Sequence, residues 1–141
     1  MYLLDTNVIS ELRKTKPHGA VLAWRLSVSS QQIAVPAIVI GELQQGAEIT
    51  RRHDIVKALE IERWIERVLA AYAIVPMDGA AFREWARLMA GKSDELSAHA
   101  MIAATARIHH LVIATRNVID FSSFDVPLFN PFGENPIEQK D

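Results

Sequence analysis

Tyr2-Leu3-Leu4-Asp5-Thr6-Asn7-Val8-Ile9 is the stretch that decides the fold. An apolar strand over Tyr2 to Asp5 runs into an acid, two polar residues that favour helix starts follow, and an apolar helix over about Val8 to Lys14 resumes. In open parallel sheets, ligands bind in the crevice beyond the carboxyl ends of the strands, so Asp5 stands where a carboxylate faces both a cation and the helix amides. The same residue would also serve as a plain helix N-cap, and position alone leaves the two readings level.

Working outward, short β-branched runs alternate with longer stretches of helical periodicity, the pattern of a parallel sheet covered by helices. The class is α/β. Further strands are predicted at Ile33 to Pro36, Ala73 to Val75 and Leu111 to Thr115. Helices are predicted at Ala20 to Val28, after the break at Pro17 and Gly19, and at Ile38 to Thr50. A long amphipathic helix from about Asp54 to Tyr72 is read from the stripe Ile55, Leu59, Glu62, Ile65, Leu69, joined by Ile61, Val68 and Tyr72. Gly79 to Ala90, capped by Asp78, and the very apolar Leu96 to His110 complete the set. Residues 1–132 read as one domain, and 133–141, polar and with one of the two prolines that follow Asn130, as a flexible tail.

Half of the 141 residues are apolar, enough for a core without staples. There are no cysteines, which excludes a disulfide framework, a thiolate zinc site and a cysteine nucleophile, and fits a cytoplasmic protein. Met1 to Ile9 lacks the basic start and apolar length of a signal peptide, so the mature chain is expected to begin there. The longest apolar runs, such as Ala34 to Gly41, reach about eight residues, against the roughly 20 that a membrane helix needs. No membrane partner is expected. Net charge is -2, so any phosphate binding must be local. Basic groups at Arg13/Lys14/Lys16, Arg51/Arg52/His53 and Arg83/Arg87/Lys92 read first as solvated helix faces and second as a substrate rim.

Two further segments bring oxygen donors toward Asp5. Glu42 shares a helical face with Ile38, Val39, Gln45 and Gly46, and a glutamate among apolar neighbours is costly without a partner or a cation. A helix edge facing water is the other reading. Ala114-Thr115-Arg116-Asn117-Val118-Ile119-Asp120-Phe121 follows the fourth strand and places Thr115, Asn117 and Asp120 at a strand's carboxyl end, although Asn and Asp also form ordinary turns. Oxygen donors with no thiolate suit a hard ion such as Mg²⁺ or Mn²⁺.

Leu4-Asp5-Thr6-Asn7, Gly41-Glu42-Leu43, Met101 to Ala106 and Thr115-Arg116-Asn117 through Asp120-Phe121 together resemble the PIN-domain family, closest to its VapC-like and FitB-like toxins. The resemblance spans the chain from the first strand to Phe132. It implies a three-layer α/β/α sandwich with a central parallel sheet of four to five strands. It also implies the toxin component of a type II toxin-antitoxin system, an Mg²⁺-dependent or Mn²⁺-dependent ribonuclease. By the same match Asp5, Glu42 and Asp120 take metal-ligand and catalytic roles, supported by Thr6, Asn7, Thr115 and Asn117. The implied partners are an RNA substrate, a VapB-like antitoxin and a second copy of the chain, with a higher hetero-oligomer forming on operator DNA.

The chain departs from the family at His99. An aspartate is usual three residues before the isoleucine of Ile102-Ala103-Ala104-Thr105-Ala106, and this chain has an imidazole there. His99 shares a face with Ile102, Ala103 and Ala106, so it is expected to point inward and to take the third acidic position. A satisfied core histidine is the plainer reading of such a residue. Losing one negative charge should weaken Mg²⁺ binding. An imidazolium paired with Asp5 or Glu42 would compete with the ion, whereas neutral imidazole suits Mn²⁺, Ni²⁺, Co²⁺ or Zn²⁺. Glu95, one turn earlier, is a weak substitute.

The mechanism implied is metal-assisted phosphodiester hydrolysis. No serine lies in a Gly-x-Ser-x-Gly elbow. His18, His53, His109 and His110 lack ligand spacing, and Trp24, Trp64 and Trp85 read as packing residues. A phosphatase of the haloacid-dehalogenase type needs an acid two residues after the strand-ending aspartate, where this chain has Asn7. The alternative that remains is a catalytically inactive PIN-fold binding module that retains antitoxin binding.

Overall fold

The computed structural model describes residues 1–133. A loosely held tail was expected from 133 onward, and residues 134–141 of it lie outside the described residues. The strands are β1 (Tyr2–Leu4), β2 (Ile33–Pro36), β3 (Ala73–Val75), β4 (Val112–Ala114) and β5 (Leu128–Phe129). The helices are α1 (Thr6–Arg13), α2 (Gly19–Ser27), α3 (Ala37–Arg51), α4 (Ile55–Ala71), α5 (Gly79–Met89), α6 (Ser97–His109) and α7 (Val118–Phe121).

All strand pairs are parallel, in the order β3-β2-β1-β4-β5. Successive strands step one way from β1 through β2 to β3, and the chain then returns to place β4 on the other side of β1. With right-handed crossovers, this reversal puts the helices before β3 on one face and α5 and α6 on the other. It also opens a crevice at the carboxyl ends of β1 and β4. There the backbone amide of Asp5 continues the ladder to the carbonyl of Ala114, at 3.0 Å.

The central strands are buried on both faces, hence their unbroken apolar character in Leu3, Leu4, Ile33 to Val35 and Ile113. Each such aliphatic side chain stabilises the fold by about 1.5–3 kcal/mol relative to exposure. Helix α6 packs through Ala100, Ile102, Ala103 and Ala106, all sealed from solvent, and its small side chains let it lie close. Among the described residues no helix is long and apolar enough to cross a membrane.

Three sequence expectations need adjusting. The inward stripe of α4 is Ala58, Ile65 and Val68, with Ile61 partly buried, whereas Ile55, Leu59 and Leu69 are exposed. Both stripes satisfy helical spacing, and only packing chooses between them. Strand β5 was not read from the sequence because two residues carry no periodicity. The segment holding Asp120 is not a plain turn but the short helix α7.

Two helix ends lean on left-handed backbone. Gly91 follows α5 at φ +76. His110 caps α6 at φ 57, with the Leu111 amide returning to the Ala106 carbonyl at 2.8 Å. Gly91→Ala should therefore lower the unfolding free energy by about 1 kcal/mol, and His110→Gly should raise it by a fraction of that. Urea unfolding of the two variants would show opposite shifts in midpoint.

Candidate active site

Asp5 is the N-cap of α1 at the end of β1, and it is 5% exposed. Its Oδ1 accepts the Thr6 amide at 2.8 Å and its Oδ2 accepts the Thr115 hydroxyl at 2.8 Å. The direction of that second bond is fixed, because Thr115 Oγ1 itself accepts the Asn117 amide at 2.9 Å and so turns its proton toward Asp5. The Asn7 amide nitrogen lies 3.4 Å from both Asp5 Oδ2 and Thr115 Oγ1, while Asn7 Oδ1 accepts the Arg116 amide at 3.2 Å. One network thus ties the start of α1 to the loop after β4.

The Thr6 hydroxyl donates to Glu42 Oε1 at 2.7 Å, which draws α3 to the same corner. Glu42 is neither sealed among the apolar side chains of its helix nor fully in water, so its sequence readings meet halfway. His99 does turn inward, its side chain 25% exposed and its ring packed edge-on against Phe121 with centroids 5.0 Å apart. Its Nε2 lies 3.7 Å from Asp120 Oδ2. The expected carboxylate neighbours were Asp5 or Glu42. Asp120 takes that place because α7 folds back over α6. The His99 Nδ1 is buried without a hydrogen-bond partner among the described residues. Asn117 is exposed and joins through its backbone amide, and Glu95 is exposed in a 3-10 turn ahead of α6.

Burial pushes the Asp5 carboxyl above its ordinary value of 3.8. The Thr115 and Thr6 hydrogen bonds and the His99 imidazole oppose that rise, and the Asp120 charge adds to it. Among the described residues no lysine or arginine pairs with Asp5. Among the described residues no three histidine, aspartate or glutamate side chains converge closely enough to cage an ion unaided. The donors nonetheless suit a hard divalent cation, which is often held by one or two carboxylates and several waters. A buried carboxylate lacking a cationic partner, with a second carboxylate close enough to be felt, is such a place.

Hollows open on both sides of Glu42, and apart from the space that Gly46 leaves one turn on, neither is legible in the sequence because their walls come from several helices. The larger, about 580 Å³, lies beside Glu42 rather than over Asp5 and is mostly apolar, with Ile38, Gln45, Met77, Phe82 and Met101 in its walls. The other, about 320 Å³, includes Ser10, Arg13, Thr50 and Trp64. One residue of each expected basic group is spent on an ion pair: Lys14 with Glu11, Arg51 with Glu48 and Glu62, Arg87 with Glu84. The tryptophans pack as expected, Trp24 against Tyr2 and Phe129, and Trp85 donating to the Ser97 carbonyl at 3.2 Å.

A doubly wound parallel sheet with acids gathered at its switch point defines a class, and residues 2–126 match the PIN domain. The chain belongs to that family. It is 34% identical over 139 residues to Toxin FitB of Neisseria gonorrhoeae, covering 94% of this chain and 99% of FitB. To VapC ribonuclease Y4jK of Sinorhizobium fredii it is 37% identical over 147 residues, covering 94% of this chain and 98% of that one. The fold superposes with a TM-score of 0.83 on a FitAB structure bound to an IR36 DNA fragment, at 30% identity, over 96% of this chain and 98% of that chain.

The raised Asp5 value has a consequence for stability. The folded state holds this proton more tightly than the unfolded chain, so the carboxyl favours folding most below about 3.8 and that contribution is lost as pH rises through the higher folded value. At neutral pH the buried charge is a cost. Asp5→Asn in metal-free buffer should therefore raise Tm by a few degrees at pH 7, with the gain shrinking toward pH 4. A lower Tm for the variant at pH 7 would show that the hydrogen bonds outweigh the burial.

Proposed function

We propose that the chain is a toxin-type PIN ribonuclease that hydrolyses phosphodiester bonds in cellular RNA with Mg²⁺ or Mn²⁺ bound at the crevice. The observation that carries this is Asp5: a carboxylate sealed at the switch point, oriented by three groups and close to Asp120, yet with no lysine or arginine beside it among the described residues. The relatives named toxin and ribonuclease support the same reading.

Asp5 and Asp120 would hold the ion, with Glu42 and His99 on either side. When bound, the cation lowers the pKa of a coordinated water and offsets charge on the phosphate. The chain's own residues set the geometry. Thr115 and Thr6 fix the two Asp5 oxygens, and Oδ1, which accepts only the Thr6 amide, keeps a lone pair for a ligand. Glu42, with Oε1 held by Thr6, retains Oε2 to orient a water. Asn7 and the Asn117 backbone amide brace the loop that carries Thr115.

His99 occupies the third acidic position. Removing one negative charge there weakens the hold on Mg²⁺ more than on Mn²⁺, which accepts imidazole more readily. That substitution also favours a second reading, a PIN fold that keeps its partner surfaces and has lost turnover. In either case the proposed partners are an antitoxin, a second copy of the chain and operator DNA, supported by the FitAB structure on a DNA fragment.

A matched cleavage assay on structured RNAs separates the readings. His99→Asp is expected to cut at least about 10-fold faster than the His99 form in Mg²⁺, with a smaller gap in Mn²⁺. EDTA or Asp5→Asn should abolish cleavage in both. No cleavage by either form would leave only the binding module, and equal rates would remove His99 from the metal position.

A further inference from the structure

The smaller cleft beside Glu42 carries an arginine that the acid site does not use. Its walls are Thr6, Ser10, Arg13, Gly46, Thr50 and Trp64, with Leu43 and Ile61 behind them. Thr6 and Arg13 are the first and last residues of α1, so the helix runs from the acid corner to the guanidinium over roughly 10 Å. The cleft and the acid site share Thr6 and Glu42.

Arg13 is held in place without being neutralised. Its guanidinium lies over the Trp64 ring, 5.7 Å from the centroid, and it makes no ion pair with any described residue. Its neighbour Lys14 is engaged by Glu11, and Arg51, Arg87 and Arg107 each have a carboxylate. At Gly46 a Cβ would meet nothing within 4 Å, so space stands open at that wall.

We propose that this cleft is a subsite for a backbone phosphate of single-stranded RNA, flanking the phosphate that reacts at Asp5. The proposal rests on the nuclease reading above. A guanidinium presents paired N–H groups to two phosphate oxygens, and the Ser10 and Thr50 hydroxyls add donors of the kind that position nucleic-acid backbones. The Trp64 face pre-orders the guanidinium. In a chain of net charge -2, affinity for a polyanion has to come from such local sites.

The test is fluorescence anisotropy of a short fluorescein-labelled single-stranded RNA in EDTA, where binding is read without cleavage, across a KCl series. Arg13→Gln should weaken binding about 10-fold and lower the salt slope by about 1. Arg13→Lys should keep the slope and lose part of the affinity. Gly46→Met, which fills the cleft from α3, should also weaken binding while Tm holds or rises. Arg83→Gln, exposed on α5 and outside the cleft's lining, is the control. Unchanged affinity and slope in Arg13→Gln overturn the subsite, as does full binding by Gly46→Met should Arg13→Gln fail to fold. Cleavage that persists alongside unchanged binding of Arg13→Gln sinks the subsite alone. Absence of cleavage in the His99→Asp form, with Arg13-dependent binding intact, sinks the nuclease reading alone.

Discussion

The constraint on which the structure turns is the carboxylate of Asp5, placed by β1 at a point where the sheet covers it and water scarcely reaches. A charge there is costly, and the surrounding backbone and hydroxyl groups are spent on making it tolerable. Thr6 offers an amide, Thr115 a directed hydroxyl and Asn7 a bridging amide nitrogen. These groups come from α1 and from the loop after β4, so the requirement of one side chain fixes how two distant segments meet.

The rest of the fold serves that meeting. Parallel pairing of β1 with β4 brings Ala114 opposite Leu4 and delivers Thr115 one residue further on, level with Asp5. The alanine face of α6 lets that helix lie close under β4, and α7 then turns back so that Asp120 and Phe121 both reach His99. On the other side, Glu42 is drawn in by a threonine hydroxyl rather than by a cation. Asp5 and Glu42 are therefore held by neutral donors, and Asp120 stands beside the His99 imidazole. Such an arrangement gives up stability, and uncompensated buried charge of this kind is common at functional sites.

Away from the crevice, charges are handled in the opposite way. Glu84 holds Arg107 at 2.7 Å and Arg87 at 2.9 Å, and hydrogen bonding to Arg107 keeps its carboxyl below the usual range. Arg107 in turn bonds the carbonyls of Phe124 and Asp125, tying α5 and α6 to the turn before β5. Paired surface charges like these fasten elements together, whereas among the described residues Asp5 is held by neutral donors and Arg13 by the Trp64 ring.

By itself the sequence determined the class, four of the five strands, all six long helices and the residues that gather at the crevice. Periodicity, the strand-ending Asp5 and the polar cluster after Ala114 are local signals, legible one segment at a time. Tertiary structure alone decided the rest. It chose the inward stripe of α4, because two stripes with the same spacing differ only in what packs on them. It made Asp120 rather than Asp5 or Glu42 the neighbour of His99, because a one-turn helix sets that direction. It also built the clefts on either side of Glu42, whose walls combine residues far apart in the chain. Local pattern is written in consecutive residues, but which side chains face each other across a cleft depends on distances that only the assembled sheet and helices define.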